Sequence, residues 1–516
     1  MLTCFCIATY VANAAVNNID PTYEQPRSGQ LRNKIDQLVL ADLKRNGIQP
    51  APLASDAVFM RRVYQDLAGA MPRWWDARNF IRSNDPKKRE KLIERLMTTE
   101  HYREYWTLKW CDMLRVKSEF PINLWPNATQ AYNRWIYEAI KNNTPYDQFV
   151  KKLLLSSGSN FRNPEANFYR AVSEKNQEGL TRAVMLTFMG TRYDKWPEGM
   201  QKELQKFFSQ IKYKSTDEWK EQIVYIDLTP GKKISSKLPD GTSVNLDPAT
   251  DARQVFADWL ISPDNPWFAR CAVNRIWYWL MGRGIIHEAD DIMFNSKPAN
   301  PALLSYLEEE FIRSKFNMQH IIKLIVNSDT YQQSFISHSD SPLAQEKFAY
   351  YTVHRLDAEI IVDFLDSLGG KKEKYVSPIP EPFTFIPPEN RTISLADGSI
   401  SSQFLSRFGR PARDSGLLEE RKNVSTSSQR LFMLNSNYIQ EKLSAGASLR
   451  YIMRNRKFNA NQAYSAVYLL ILNRFPSDKE LREINEYANS NKTGRTRAMM
   501  DLTWSLLNSK EFLYHH

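Results

Sequence analysis

Two clusters of side chains hold most of the reactive chemistry this sequence offers. The first is Asn265-Pro266-Trp267-Phe268-Ala269-Arg270, followed by Asn274-Arg275-Ile276-Trp277, Gly282-Arg283-Gly284, and His287 with Asp290-Asp291. Read as one helix over 265–281, the run puts Arg270, Asn274 and Trp277 on a common face. Arg275 then projects about a quarter-turn away, and Arg283, Asp290 and Asp291 fall in the loop beyond. As an active site, Asp290 or Asp291 would serve as acid, base or metal ligand, and Arg275 or Arg283 would clamp an anion. As structure, the same residues would form a buried ion-pair and capping network that fixes a helix-loop-helix, and this is the preferred reading, because such networks imitate sites.

The second cluster is Arg407, Arg410, Arg413, Asp414, Glu419, Glu420 and Arg421, followed by Ser425, Thr426 and Ser427. Planar guanidinium forks at this density could grip a sulfate, carboxylate or phosphate. The plainer and preferred reading is that the alternating signs pair with one another on a surface. The basic run Lys87-Lys88-Arg89-Glu90-Lys91 reads as a solvated helix face, with nearby aromatic residues leaving open a polyanion-binding surface. Tyr102, Trp106 and Trp110, four apart, read as core rather than as a sugar platform.

Several reaction classes are absent by motif. The chain holds no C-x-x-C-H, H-E-x-x-H, G-x-S-x-G, Walker A or G-x-G-x-x-G sequence, and each of those chemistries needs its residues at fixed spacing. The seven histidines show no ligand spacing apart from the adjacent pair 515–516, so no metal site is expected.

Helices must position these groups. With 18 glycines in 516 residues, about half the usual ~7%, hairpin-rich and glycine-looped folds are disfavoured. Leu31, Ile35, Leu38, Val39 and Leu43 make a helical stripe before Gly47 and Pro50, and Asp56 can cap a second helix bearing Phe59, Met60, Val63, Tyr64 and Leu67. Helical patterns continue through 87–115, 129–142, 146–155 and 176–190, then resume at 251–261, 265–281 and 301–314. Asn300 is the expected cap of the last, and Ser477 with Glu480 forms a capping box further on. Between 209 and 250 the texture turns β-like, with turns at Pro230-Gly231 and Asp240-Gly241. The expected fold is mainly α: helical domains at 15–208 and 251–516, a small β-hairpin or ribbon at 209–250 between them, and a long exposed loop at 371–400.

Residues 2–16 form an uncharged, mostly apolar run ending in Ala12-Asn13-Ala14, the small-x-small pattern of a signal-peptidase site. This predicts a signal peptide at 1–14 and export to the periplasm or cell surface, although no Lys or Arg precedes the run. No apolar stretch approaches the ~18 residues of a membrane span. Cleavage would remove Cys4 and Cys6 and leave Cys111 and Cys271, which could pair only if the fold brings them together. The net charge of +11 is uneven: 31 basic and 22 acidic side chains up to residue 210 (+9), against 38 and 36 beyond (+2). That excess points to a polyanionic partner.

Longer motifs carry a family resemblance. DAVFMRRVYQDLAGAMP (56–72) with KLIERLMTTEHYREYWTLKWCDMLR (91–115) resembles the first of two domains found in exported planctomycete-type cytochrome-associated proteins. DARQVFADWLISPDNPWFARCAVNRIWYWLMGRGIIHEADD (251–291), IIKLIVNSDTYQ (321–332), FGRPARDSGLLEER (408–421) and LFMLNSNYIQEKL (431–443) resemble the second. Both domains are of unknown function. The resemblance implies an exported bacterial protein, often encoded beside sulfatase-like proteins and associated with breakdown of complex, often sulfated, polysaccharides. Many relatives carry a haem-binding C-x-x-C-H between a Phe-x-Gly turn and an Asp-x-Trp stretch. Here Phe188-Met189-Gly190-Thr191-Arg192 runs directly into Tyr193-Asp194-Lys195-Trp196, which implies a haem-free branch without a cofactor.

The expectation is therefore a non-catalytic exported protein that binds an anionic polysaccharide or a co-exported sulfatase-like protein. Its binding residues would come from Asn274, Trp277, Arg407, Arg410, Arg413, Glu420 and Arg421. The alternative is a polysaccharide hydrolase or lyase using Asp290 and Asp291 with Arg275 and Arg283. Redox carriage by haem is disfavoured by the missing motif, and nucleic-acid binding by export.

Overall fold

Helix ends follow the capping residues of the sequence, with one shift. In the computed structural model, which describes residues 19–27, 31–369, 372–387, 389–444, 446–490 and 494–516, Asn33 opens the helix Lys34–Arg45 through a capping box with Asp36. The helix Asp56–Ala68 is capped by Ser55, not Asp56: the Ser55 hydroxyl accepts from Val58 N, and the Asp56 carboxylate takes Arg89 Nε at 2.9 Å. Asn300 caps Pro301–Arg313, and Ser477 and Glu480 form the expected reciprocal pair. The expected leader at 1–14, with Cys4 and Cys6, lies outside the described residues.

The architecture is mainly α, with only two- and three-stranded antiparallel sheets. The aromatic helix Glu100–Met113 buries Tyr102, Tyr105, Trp106 and Trp110 in the core. No helix among the described residues is long and apolar enough to cross a membrane.

The segment 209–250 is two hairpins rather than one. Ile211–Ser215 pairs with Gln222–Ile226, which also pairs with Gly158–Ser159 to make a three-stranded sheet. Ile234–Lys237 pairs with Ser243–Leu246 across the Asp240-Gly241 turn, so Pro230-Gly231 separates the hairpins instead of turning one. The first strand, Ile-Lys-Tyr-Lys-Ser, has too little apolar content to stand out, and its turn at 216–221 has neither Gly nor Pro. The 371–400 loop is also only partly exposed: Ile393, Leu395, Ala396, Asp397 and Ile400 are buried.

The two helical segments share one continuous apolar core. Arg61 and Arg62 of the Asp56–Ala68 helix pass into the C-terminal half. Arg61 donates to the carbonyls of Ile471 (3.0 Å) and Phe512 (2.9 Å), and Arg62 to those of Gln333 (2.9 Å) and His516 (3.1 Å). Asp36 likewise accepts from Asp329 N and Thr330 N. Buried guanidinia that satisfy main-chain acceptors hold the two halves in one register.

Candidate functional site

The sequence-predicted residues converge on the seam between the halves, but mostly to hold it. Asp290 is buried and accepts from Arg275 Nη2 (2.9 Å) and Leu418 N (2.6 Å). Arg275 also donates to the carbonyls of Leu186 and Thr187, in the π-helical turn Met185–Met189 whose wider winding frees them. Asp291 pairs with Lys195. Asn274 clamps both main-chain groups of Ile286, accepting at 2.9 Å and donating at 3.0 Å, and Trp277 is buried edge-on to Phe348. Arg283 is half-buried, and its Nε has no hydrogen-bond partner. Asp290 thus serves internal donors, whereas Asp291 pairs only with the half-exposed Lys195 and its Oδ1 has no hydrogen-bond partner.

The arginines of 407–421 meet the same fate. Arg413 Nε donates to Asp112 (2.8 Å), and its Nη1 stitches the carbonyls of Ala396 (2.6 Å) and Val116 (3.2 Å). Arg421 bridges Asp112 (2.6 Å) and Glu359 (2.8 Å). Arg410 Nη2 donates to Asp397 O, and its Nε stands 3.4 Å from Glu359. Arg407 lies over the Phe432 ring, and Glu420 caps the local turn by accepting from Asp414 N and Ser415 N. Gly416 lets this loop lie against the end of the Glu100–Met113 helix: its φ is +75°, and a Cβ there would sit 2.6 Å from Met113 O. Burial alone would raise the Asp112 carboxyl, but Arg421 and then Arg413 hold it below the ordinary range. Arg410, Arg413 and Arg421 therefore offer no free anion clamp. Carboxylates hold Arg413 and Arg421, and main-chain carbonyls hold Arg410.

Beside this network lies a cavity of about 380 Å³ whose lining includes Arg421 together with groups the spacing argument passed over. Asp357 accepts from Lys109 Nζ (2.8 Å), Tyr105 Oη (3.0 Å) and Asn423 Nδ2 (3.1 Å). Burial opposes its charge, yet Arg421 and Lys109 hold its carboxyl well below the usual range. Opposite stands Asp66, which accepts from Tyr331 Oη (2.6 Å) and lies 3.0 Å from His515 Nε2. Burial pushes the Asp66 carboxyl up to about 7. Burial, and then Arg62, pushes the His515 imidazole far down, and burial, and then His515, takes His354 down to about 4. The two rings stack at 4.6 Å.

The tautomer of His515 follows from one hydroxyl. Tyr351 Oη lies 3.0 Å from Leu280 O and 2.9 Å from His515 Nδ1. Its single proton goes to the carbonyl, so Nδ1–H donates to the hydroxyl and Nε2 is left as an acceptor facing Asp66. A protonated Asp66 fits that position. His354 and His515 come from the paired strands His354–Arg355 and Tyr514–His515, 161 positions apart, so no spacing rule could join them. The only local signal is an apolar run, Phe512-Leu513-Tyr514, leading into His515.

A second feature is exposed. Trp125, Trp219 and Phe383 come from three separate loops and meet with ring centroids 4.8–5.6 Å apart. Trp219 is 55% and Phe383 45% exposed. Lys220 Nζ sits 4.7 Å from the centre of the Trp125 ring. Arg170 bonds Leu124 O and Gln222 on either side of the cluster, and Lys175 reaches Gln222 at 3.5 Å.

Residues 34–211 match the family model PSCyt2, a protein of unknown function (DUF1549), and residues 252–488 match PSD1, a protein of unknown function (DUF1553). The chain is a two-domain PSCyt2–PSD1 protein. No curated protein and no solved structure matches it. The cavity lies between the two families' segments: PSCyt2 supplies Asp66, Tyr105 and Lys109, PSD1 supplies His354, Asp357 and Arg421, and His515 lies beyond the PSD1 match.

Haem is the cofactor the cytochrome-associated resemblance brings to mind. Covalent haem needs paired thiols and an axial ligand. Residues 188–196 hold neither Cys nor His. At Gly190 a Cβ would meet Cys271 Sγ and Ala289 O at 3.0 Å, so the turn is packed shut. Cys111 and Cys271 are both free and buried, and burial pushes each thiol up to about 11. The residues present do not fit a covalent haem.

Proposed function

We propose that this PSCyt2–PSD1 protein is an exported, non-catalytic accessory protein that binds acidic polysaccharide during its breakdown. The supporting observation is the exposed Trp125–Trp219–Phe383 cluster beside Lys220. Solvent-facing aromatic rings held together by three loops have no folding reason to stay uncovered, and patches of this kind mark interaction surfaces. Indole and phenyl faces stack on the C–H faces of sugar rings, while Lys220 and Lys175 attract their sulfate or carboxylate groups. The +9 excess up to residue 210 lies in the half that supplies Trp125 and Lys175. The leader-like 1–14 run supports export.

The test is affinity electrophoresis of the full chain in gels containing chondroitin sulfate or a neutral glucan. Retention is expected in the sulfated gel at low salt, falling as salt rises. A Trp219→Ala, Phe383→Ala double variant should lose at least about 1.4 kcal/mol of binding, read as a tenfold weaker retention. No retention by any acidic polymer at low ionic strength would overturn the reading, and so would full retention by the double variant.

A further inference from the structure

We infer that the seam cavity is a binding site for a small hydroxylated carboxylate of single-ring size, such as a sugar acid, with its carboxylate directed to Arg355. Arg355 lines the cavity and is 3% exposed. Its Nη1 donates to Val424 O (3.3 Å), and its guanidinium lies 4.5 Å from the centre of the Phe408 ring. Its Nη2 is buried with no hydrogen-bond partner. No carboxylate among the described residues forms an ion pair with it.

The contrast with Lys109 and Arg421, the other cations enclosed in the lining, carries the inference; Lys422 also borders the cavity but is exposed to solvent. Lys109 and Arg421 each meet a carboxylate of the protein at 2.8 Å or closer. A buried charge without a carboxylate partner is costly, and beside a cavity an arriving anion would relieve that cost. None of the lining carboxylates touches Arg355: Asp112 and Asp357 are taken by Arg421 and Lys109, Glu419 pairs with Arg192, Asp66 accepts from Tyr331 Oη, and Asp357 acts on Arg355 only at longer range. His354 is a neutral acceptor or donor suited to a hydroxyl, whereas both ring nitrogens of His515 face protein groups, Tyr351 Oη and Asp66. Tyr105, Tyr278 and Trp279 supply aromatic wall for a ring. At about 380 Å³ the space falls at the small end of ligand cavities, roughly 300–1,000 Å³, which suits one ring rather than a chain.

This site is separate from the exposed aromatic cluster, and the two are tested apart. Full-length protein is titrated calorimetrically with D-glucuronate, glucose and acetate, and its thermal midpoint is followed with each. Glucuronate is expected to bind and raise the midpoint, glucose and acetate to bind at least tenfold more weakly, and Arg355→Met to lose at least tenfold in glucuronate affinity. Removing an unpaired buried charge should leave Arg355→Met folded. If it does not fold, Trp279→Phe provides the second test, with a weakened glucuronate affinity expected. Retention of Arg355→Met on chondroitin sulfate gels should match wild type, which separates failure of this site from failure of polymer binding. Absence of glucuronate binding to the wild type, acetate binding as tightly as glucuronate, or undiminished affinity in Arg355→Met or Trp279→Phe would overturn the inference.

Discussion

The seam around Asp112 and the aromatic cluster at Trp219 use similar side chains to opposite ends. At the seam, Arg413, Arg421, Lys109, Asp112, Asp357 and Glu359 satisfy one another within 2.6–2.8 Å at their closest contacts, so charge becomes mortar between two sequence segments. At the cluster, two tryptophans and a phenylalanine pack together but leave about half of Trp219 and Phe383 in solvent. Charge density in the sequence is therefore a poor guide to ligand binding here. What distinguishes a binding group from a structural one is whether the protein already supplies its partner: Arg421 has two carboxylates, Arg355 has none among the described residues, and Trp219 keeps an uncovered face.

The sharpest way to break this contrast is to remove the seam's central cation. Arg421→Ala leaves Asp112 and Glu359 short of their shared partner, and breaking a buried pair of this kind costs about 3–5 kcal/mol. Urea unfolding should show the loss, and a change below about 1 kcal/mol would mean that the network behaves like surface ion pairs.

A smaller effect should come from Asp66, with a definite sign in pH. Its folded pKa, about 7, lies above its ordinary value, so the folded state holds a proton that the unfolded chain releases. The stabilising effect of that proton is complete below the ordinary carboxylate value, about 3.9, and is lost as pH rises through about 7. Asp66→Asn removes this dependence. Its stability relative to wild type should improve between pH 5 and pH 8 by an amount of order 1 kcal/mol or more. A pH-independent difference would show that Asp66 ionises normally.

The smallest effect belongs to the exposed cluster. Trp219→Ala should change unfolding stability by less than about 1 kcal/mol, while polymer retention falls. A loss comparable to that of Arg421→Ala would make the cluster another piece of core.

Periodicity and caps exposed most of the helices directly, because a stripe such as Leu303, Leu304, Leu307 and Phe311 behind Asn300 and Pro301 is local information. The hairpin Ile211–Ser215 with Gln222–Ile226 was only half legible, since alternate lysines mask its strand pattern. In the candidate site, Arg421 was visible as a charged residue but its carboxylate partners were not. His354, His515 and Asp66 gave no sign of one another.

By itself, the sequence determined a mainly helical chain of two recognisable segments, poor in cysteine and without a haem motif, because those properties reside in composition, short-range spacing and motif. Tertiary structure alone decided which polar groups are consumed and which remain free. Pairing depends on contacts such as Asp112 with Arg421 and Asp66 with His515, hundreds of residues apart along the chain, and a side chain's chemistry changes once burial and a partner set its charge.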